Sequence, residues 1–476
     1  MDRRTVTLLL LLLGCWISAA SCQQPIIKDP AVAGSFYPGD AATLQKSVDA
    51  MLSSVRVTGD ETPPLALVVP HAAHQYSGLV ASEGYARVKG RRVSTVILIG
   101  PSHYAMLKGA AIHPGDGMRT PLGVVSLDTA LARTLASDAG HVRLDAAPFA
   151  KEHSLEVQLP FIQRAFGPST RIVPILVGMP DRESYQSLSA GIAAILKSRP
   201  DALLLISTDL SHYRDLTTAS SMDSRVIDAI ERLAVTELEQ LLSSGRGEMC
   251  GGWPTVYGLA AVRAAGASHA VTYRRGTSAD LTGDRKSVVG YVAQGIIRGN
   301  LSESQRRELL ELAKLTVETH VRGEKLPEVK DRSPLLRAAR GVFVTIKRQD
   351  GQLRGCIGSI LPQHPLQEAV VHNARAAASQ DSRFMPVKPT ELLGLQYEVT
   401  ILSPLEPLSD PNAIVVGTHG VYLEKGAHSS VFLPQVPVEQ GWDRATYLAE
   451  LARKAGLPPD GWKDARLSVF TADIIK

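Results

Sequence analysis

The chain is poor in cysteine, in runs of like charge and in long apolar stretches, and each shortage excludes something. Four of its 476 residues are cysteine. Cys15 and Cys22 fall at the extreme N-terminus, so Cys250 and Cys356, one in each half, are too few for a disulfide framework. Lysine and arginine number 51 against 47 aspartate and glutamate, and no more than 2 basic residues adjoin anywhere, so no nucleic-acid groove is signalled. No repeat of roughly 20 to 50 residues is visible, which excludes a solenoid.

What is there points to an exported protein of several domains. At roughly 150 residues per domain, the length predicts two or three. Residues 1–22 read as an export signal: basic MDRR, then TVTLLLLLL and GCWISAASC, too short an apolar stretch to span a bilayer comfortably. Either Cys15 or Cys22 is placed to carry the lipid of a bacterial lipoprotein, with a soluble secreted form as the alternative. The expected location is the periplasm or the membrane surface, with the lipid anchor as the only membrane contact.

From residue 25 to 299, aliphatic strands alternate with amphipathic helices, the grammar of an α/β domain built on a mostly parallel sheet. LALVVP (65–70), TVILIG (95–100), RIVPILVG (171–178) and ALLLIS (202–207) are its central strands, and SVVGYVAQGII closes it. TALARTLASDA and ESYQSLSAGIAAILKS supply crossover helices. Near Asn300 the grammar changes. Ser302 with Gln305 forms a capping-box pattern ahead of LLELAKLTVETHV, and GVFVTIKRQDGQLRGCIGSI alternates around Asp350-Gly351 as a hairpin. With LQYEVTILSPLEPL and HSSVFLPQV as further strands, residues 300–476 predict a smaller α+β domain with an antiparallel sheet.

The chemistry gathers at strand ends. LALVVP runs into His71, TVILIGPS into His103, and ALLLIST into Asp209 and His212. Carboxyl ends of neighbouring parallel strands open on one crevice, so these residues are expected to converge. Cys250 in MCGGWP can reach the same cleft. Two imidazoles and a thiolate suit iron, copper or zinc, because nitrogen and sulfur dominate the donor set. A lone histidine or cysteine is more often an ordinary loop or core residue, and it is the recurrence at successive strand ends that favours a site. In EHSLEVQLPF, Glu152, His153 and Glu156 are expected at a helix start. The two glutamates read as an acidic first turn, and His153 as either part of that turn or a proton carrier. His74, one turn beyond His71, is a further approach to the metal or a rim residue.

AVAGSFYPGD, PHAAHQYSG, GPSH, EHSLEVQLPF, STDLSH, MCGG and TGDRKSVVGYVA occur in the order found in the Memo-like family, and residues 28–298 resemble it nearly throughout. The resemblance implies a fold like that of the class III extradiol dioxygenases, which open catechol rings with non-haem Fe(II). It implies metal ligands at His71, His103 and Cys250, with Asp209 and His212 in the same cleft. Two departures stand out. His71-Ala72-Ala73-His74 replaces the usual His-Ala-Gly-Tyr, and a thiolate stands where ring-cleaving dioxygenases complete their ligand set with a carboxylate.

LRGCIGSI, AAASQDSRFMPV, YEVTILSPLEPL, HGVYLEKG and VFLPQVPVEQGWD are similar, in order, to the AMMECR family over residues 300–476. The two families together resemble a fused AmmeMemoRadiSam system, whose third member is a radical SAM enzyme. That enzyme is the partner implied, although such enzymes normally stay in the cytoplasm and the N-terminus points outward. Alternation in the hairpin puts Leu353, Gly355 and Ile357 on one face and Arg354, Cys356 and Gly358 on the other. Cys356 then reads as a packed residue, or as a reactive thiol if Arg354 lowers its pKa. Asp381 and Arg383 read as a buried charge pair or an anion site.

These readings give a metal-dependent redox protein. Fe2+ is the first choice of metal and copper the second. His71, His103 and Cys250 are its ligands, His212 oriented by Asp209 is the general acid or base, and His153 is a second proton carrier. The ligand, a small molecule or peptide, is not specified, and turnover like that of a non-haem oxidoreductase is one of three outcomes. The others are a scaffold whose cleft captures a peptide or metal ion, and a copper store or carrier.

Overall fold

The computed structural model describes residues 24–476 apart from 58–61, 137–139, 330–333, 363 and 409. The export segment, with Cys15 and Cys22, lies outside the described residues. Among those residues no helix is long and apolar enough to cross a membrane.

A nine-stranded sheet organises the N-terminal half. Its order is His212–Arg214, Val288–Ile297, Ala66–Val69, Ala202–Ser207, Thr95–Pro101, Arg171–Val177, Ala110–Ile112 and Val142–Leu144, with His269–Thr277 also paired to Val288–Ile297. The four expected central strands are mutually parallel. The flanks are antiparallel: Val288–Ile297 runs against Ala66–Val69 on one side and Ala110–Ile112 against Arg171–Val177 on the other. The sheet is therefore mixed, with a parallel centre.

Continuous apolar runs are explained by burial on both faces. Ile97, Ile99, Leu204 and Ile206 pack into one core layer. Val96, Leu98, Leu203 and Leu205, the alternating residues of the same strands, pack into the other. Helices Arg182–Ser198, Leu216–Glu231 and Gly252–Ala264 cover the first layer, and Ala41–Ser53, His74–Ala86 and Leu159–Phe166 cover the second. All four central strands point their carboxyl ends to the same rim.

The C-terminal half opens on the helix Glu303–Arg322, capped as its sequence predicts: Gln305 N–H donates to Ser302 Oγ at 3.2 Å, and Ser302 N–H to Gln305 Oε1 at 3.0 Å. The hairpin Val342–Arg348 and Leu353–Ser359 turns at Gly351, whose φ of 81° only glycine adopts readily. These strands, with Leu395–Leu402 and Ala472–Ile475, form one antiparallel sheet against helices Glu303–Arg322 and Leu366–Ser379. A second four-stranded antiparallel sheet holds Glu406–Leu408, Arg466–Phe470, Gly420–Lys425 and His428–Phe432, so this half carries two sheets where one was expected. Arg340 reaches across the seam and donates from Nη2 to the Ser268 carbonyl at 2.7 Å.

Candidate metal centre

His71 follows the strand Ala66–Val69 by two residues, His103 follows Thr95–Pro101, and Asp209 follows Ala202–Ser207. Parallel register brings the three exits side by side, as the strand-end argument expects. Cys250 arrives from 179 positions beyond His71, on the loop just before the helix Gly252–Ala264, and its Sγ stands 3.1 Å from His71 Nε2. Donor atoms of His71, His103 and Cys250 all lie within 4.8 Å of one another. Two further groups share residues with this one, His103 with Glu152 and His153, and Cys250 with Asp209 and His212. His71, His103, Cys250, His153, Asp209 and His212, read from the sequence as ligands and proton carriers, thus all fall within these three overlapping groups.

The cluster is buried at its base, at His71, and open at His103. His71 is 1% exposed. Burial, and then the neighbouring rings of His103, His153 and His212, hold its pKa well below the usual histidine range. His153 is lowered to about 4, first by burial and then by His103. Its ring stacks on that of His103 with centroids 4.6 Å apart, and Phe36 covers it at 4.8 Å. Among the described residues His153 Nδ1 is buried without a hydrogen-bond partner, with Glu152 Oε1 3.6 Å away. Burial also pushes the Cys250 thiol up, while its sulfur accepts the Asp209 N–H at 3.2 Å.

Asp209 differs from its expected role. Its Oδ1 accepts the backbone N–H groups of His71 at 2.8 Å and Ala72 at 3.2 Å, and no hydrogen bond joins it to the His212 ring. The carboxylate holds the His71 loop instead of orienting His212. Burial raises its pKa to about 6 against the pull of the His71 N–H. His212 is positioned by its backbone, which donates to Glu248 Oε1 at 3.3 Å.

The segment EHSLEVQLPF also departs from expectation. Its 3₁₀ turn begins only at Glu156 and its α-helix at Leu159, so Glu152 and His153 are not in a first helical turn. Glu152 faces the cluster: Oε1 lies 2.9 Å from His103 Nδ1, and Oε2 accepts the His103 N–H at 2.6 Å. Its pKa falls to about 2, because hydrogen bonds from the His103 ring and backbone outweigh the upward push of burial. Glu156 is structural, as read, but through burial and not a helix dipole. It accepts from Lys28 Nζ at 2.9 Å, Ala31 N at 2.7 Å, Val32 N at 2.9 Å and Tyr37 Oη at 2.8 Å. His74 belongs to none of the donor groups. It is a core residue between Tyr37 and Phe161, its Nε2 3.0 Å from the Val157 carbonyl. Sequence reasoning passed over Ser207, whose Oγ stands 2.9 Å from His71 Nδ1, and Gln158, which bonds Ser207. A serine ending a buried strand was the one available signal.

The model of the family described as Memo-like protein matches residues 28–295, more than half of the chain. The chain belongs to the Memo-like family. A second model, described as AMMECR1, matches residues 310–475. The Memo-like region is 34% identical over 281 residues to a MEMO1 family protein of Methanopyrus kandleri, covering 57% of this chain and 99% of that protein. A MEMO1 family protein of Aquifex aeolicus is 35% identical over 266 residues, covering 56% and 97%. The crystal structure of an uncharacterized protein from Pyrococcus horikoshii is 41% identical, covers 37% of this chain and 92% of that one, and has a TM-score of 0.35.

In the AMMECR1 half, Arg354 is not free to act on Cys356. Its guanidinium grips Glu391 at 2.8 and 3.0 Å and the Met385 carbonyl at 2.9 Å. Cys356 faces Thr345, whose Oγ1 donates to Sγ at 3.3 Å, and its backbone N–H donates to Asp381. Asp381 and Arg383 form a bidentate pair at 2.9 and 2.7 Å, a charge pair as in one of the two readings, but with Asp381 buried and the Arg383 side chain exposed.

Proposed function

We propose that the Memo-like domain is a metal-binding, redox-active site, with His71, His103 and Cys250 holding Fe2+ first and copper second. One observation carries the reading: three donors from distant parts of the chain gather within 4.8 Å. The donor set fits such a metal. Two imidazoles and a sulfur favour borderline transition metals and offer little to magnesium or calcium, which want oxygen. Bound iron would supply one-electron redox chemistry at positions the protein leaves open.

The chain's own residues do the rest. Asp209 keeps the His71 loop closed through two backbone N–H groups. His153 stands beside the ligands as the second proton carrier, and His212 stands as the acid or base on the Cys250 side. Phe36 and the buried walls keep water from the base of the cleft. The substrate is a small molecule or peptide, export with an N-terminal lipid is the proposed setting, and a radical SAM enzyme is the proposed partner of the fused pair.

Anaerobic reconstitution followed by elemental analysis tests this. The expected result is about one iron per chain, lost in His71→Ala and Cys250→Ser. Failure of the metal-replete protein to retain any transition metal would overturn it. Nitric oxide added to the Fe2+-loaded protein should give a new spectrum, since an exchangeable position is what separates a reactive centre from a closed one.

A further inference from the structure

We propose that Ser207 and Glu152 are positioning residues that fix His71 and His103 as Nδ1–H tautomers, leaving Nε2 of both rings bare for a ligand. The inference serves the metal-binding reading but stands on a separate ledger of protons.

For His71 the ledger starts at two carbonyl oxygens, which can only accept. Gln158 places its side-chain nitrogen 2.9 Å from the Pro70 carbonyl, so that atom is the amide NH2, and its Oε1 accepts from Tyr85 Oη at 2.8 Å. The same nitrogen is 2.8 Å from Ser207 Oγ and therefore donates to it. Ser207 in turn gives its one hydroxyl proton to the Ser154 carbonyl at 2.6 Å. A hydroxyl has one donor and two acceptor positions. With the proton committed to Ser154 and one lone pair to Gln158, Ser207 can only accept from His71 Nδ1 at 2.9 Å. His71 therefore carries its proton on Nδ1. Its Nε2 is the lone pair that faces Cys250 Sγ at 3.1 Å.

For His103 the ledger is shorter. Glu152 Oε2 accepts the His103 N–H at 2.6 Å, and Oε1 accepts the N–H groups of Ser154 at 2.9 Å and His153 at 3.0 Å. A carboxylate taking three backbone donors is held in its ionised, acceptor-only form. His103 Nδ1, 2.9 Å from Oε1, must then be the donor, and in the neutral ring that ligation requires, Nε2 carries the lone pair. Among the described residues no hydrogen bond occupies Nε2 of His103, whose ring bonds through Nδ1. Both ledgers run through residues 152–158, where Glu152, the Ser154 carbonyl and Gln158 lie on one short loop and turn. That stretch thus sets the tautomer of two rings from different strands, the role that outer partners commonly play for ligating histidines.

The test uses the full chain, metal-free and labelled with 15N-histidine. Long-range 1H–15N correlation spectra report which ring nitrogen carries the proton, and His71→Gln and His103→Gln assign the two signals. Both rings are expected in the Nδ1–H form, and the Nε2–H form at either one overturns the proposal. In Ser207→Ala, His71 should lose its fixed Nδ1–H signature and Co2+ affinity should fall about 10- to 100-fold, with Ser207→Thr restoring both. An unchanged His71 signature in Ser207→Ala also overturns it. The tautomers are read without metal, so a chain that binds no iron yet shows both Nδ1–H rings rejects the metal-binding reading and leaves this assignment standing.

Discussion

Glu156 shows how much one carboxylate can organise. It is fully buried, yet four donors from residues 28–37 converge on it, among them Lys28 Nζ and Tyr37 Oη. The same stretch supplies Phe36, the lid over His153. Removing one partner of a buried, hydrogen-bonded ion pair leaves the other charge uncompensated. Glu156→Ala should therefore cost about 3 kcal/mol or more in chemical denaturation, and it should loosen the cover of the His71, His103 and Cys250 cluster. A loss below about 0.5 kcal/mol, the scale of ordinary surface changes, would contradict this role. At this scale the sequence was informative about which side chains meet at the strand ends and silent about their supports. His71, His103 and Asp209 each follow an apolar run, so their place at a strand end was legible. Gln158 and Glu152 sit in a turn and a loop with no periodicity, and their partners are 49 positions away, Ser207 for the one and His103 for the other. His74 was misjudged because one helical turn from a ligand looks near the site, whereas its ring faces the core.

Among elements, the parallel centre of the sheet was readable and its antiparallel flanks were not. Val288–Ile297 is buried on nearly every position, so it reads like a central parallel strand although it runs against Ala66–Val69. Burial on both faces produces the continuous apolar run, and direction leaves no mark on composition. The AMMECR1 hairpin was legible for the opposite reason, since Asp350-Gly351 states its turn directly. The second sheet of that half escaped notice because its strands are short. One charge pattern there is testable. Hydrogen bonds from Arg354 hold Glu391 at about 2, and those from Arg383 do the same for Asp381. Carboxylates depressed in the folded state add stability that is complete above their unfolded values near 4 and is lost as pH falls toward 2. Acid titration of the full chain should show C-terminal signals unfolding across that window. Arg354→Gln should flatten the dependence, and an unchanged acid profile would contradict the assignment.

Over the whole molecule, a Memo-like and an AMMECR1 domain share one chain, linked at a seam where Arg340 donates to the Ser268 carbonyl. The metal-binding proposal rests on the first of them, where donors separated by as many as 179 positions meet at the rim of the sheet and would hold one metal ion. X-ray absorption at the iron edge of the anaerobically loaded protein asks this most directly. Nitrogen scatterers from two imidazoles are expected together with one sulfur at about 2.3 Å, the usual thiolate distance, with loss of that sulfur alone in Cys250→Ser. An iron bound with no sulfur neighbour, or a spectrum unaffected by Cys250→Ser, would contradict it.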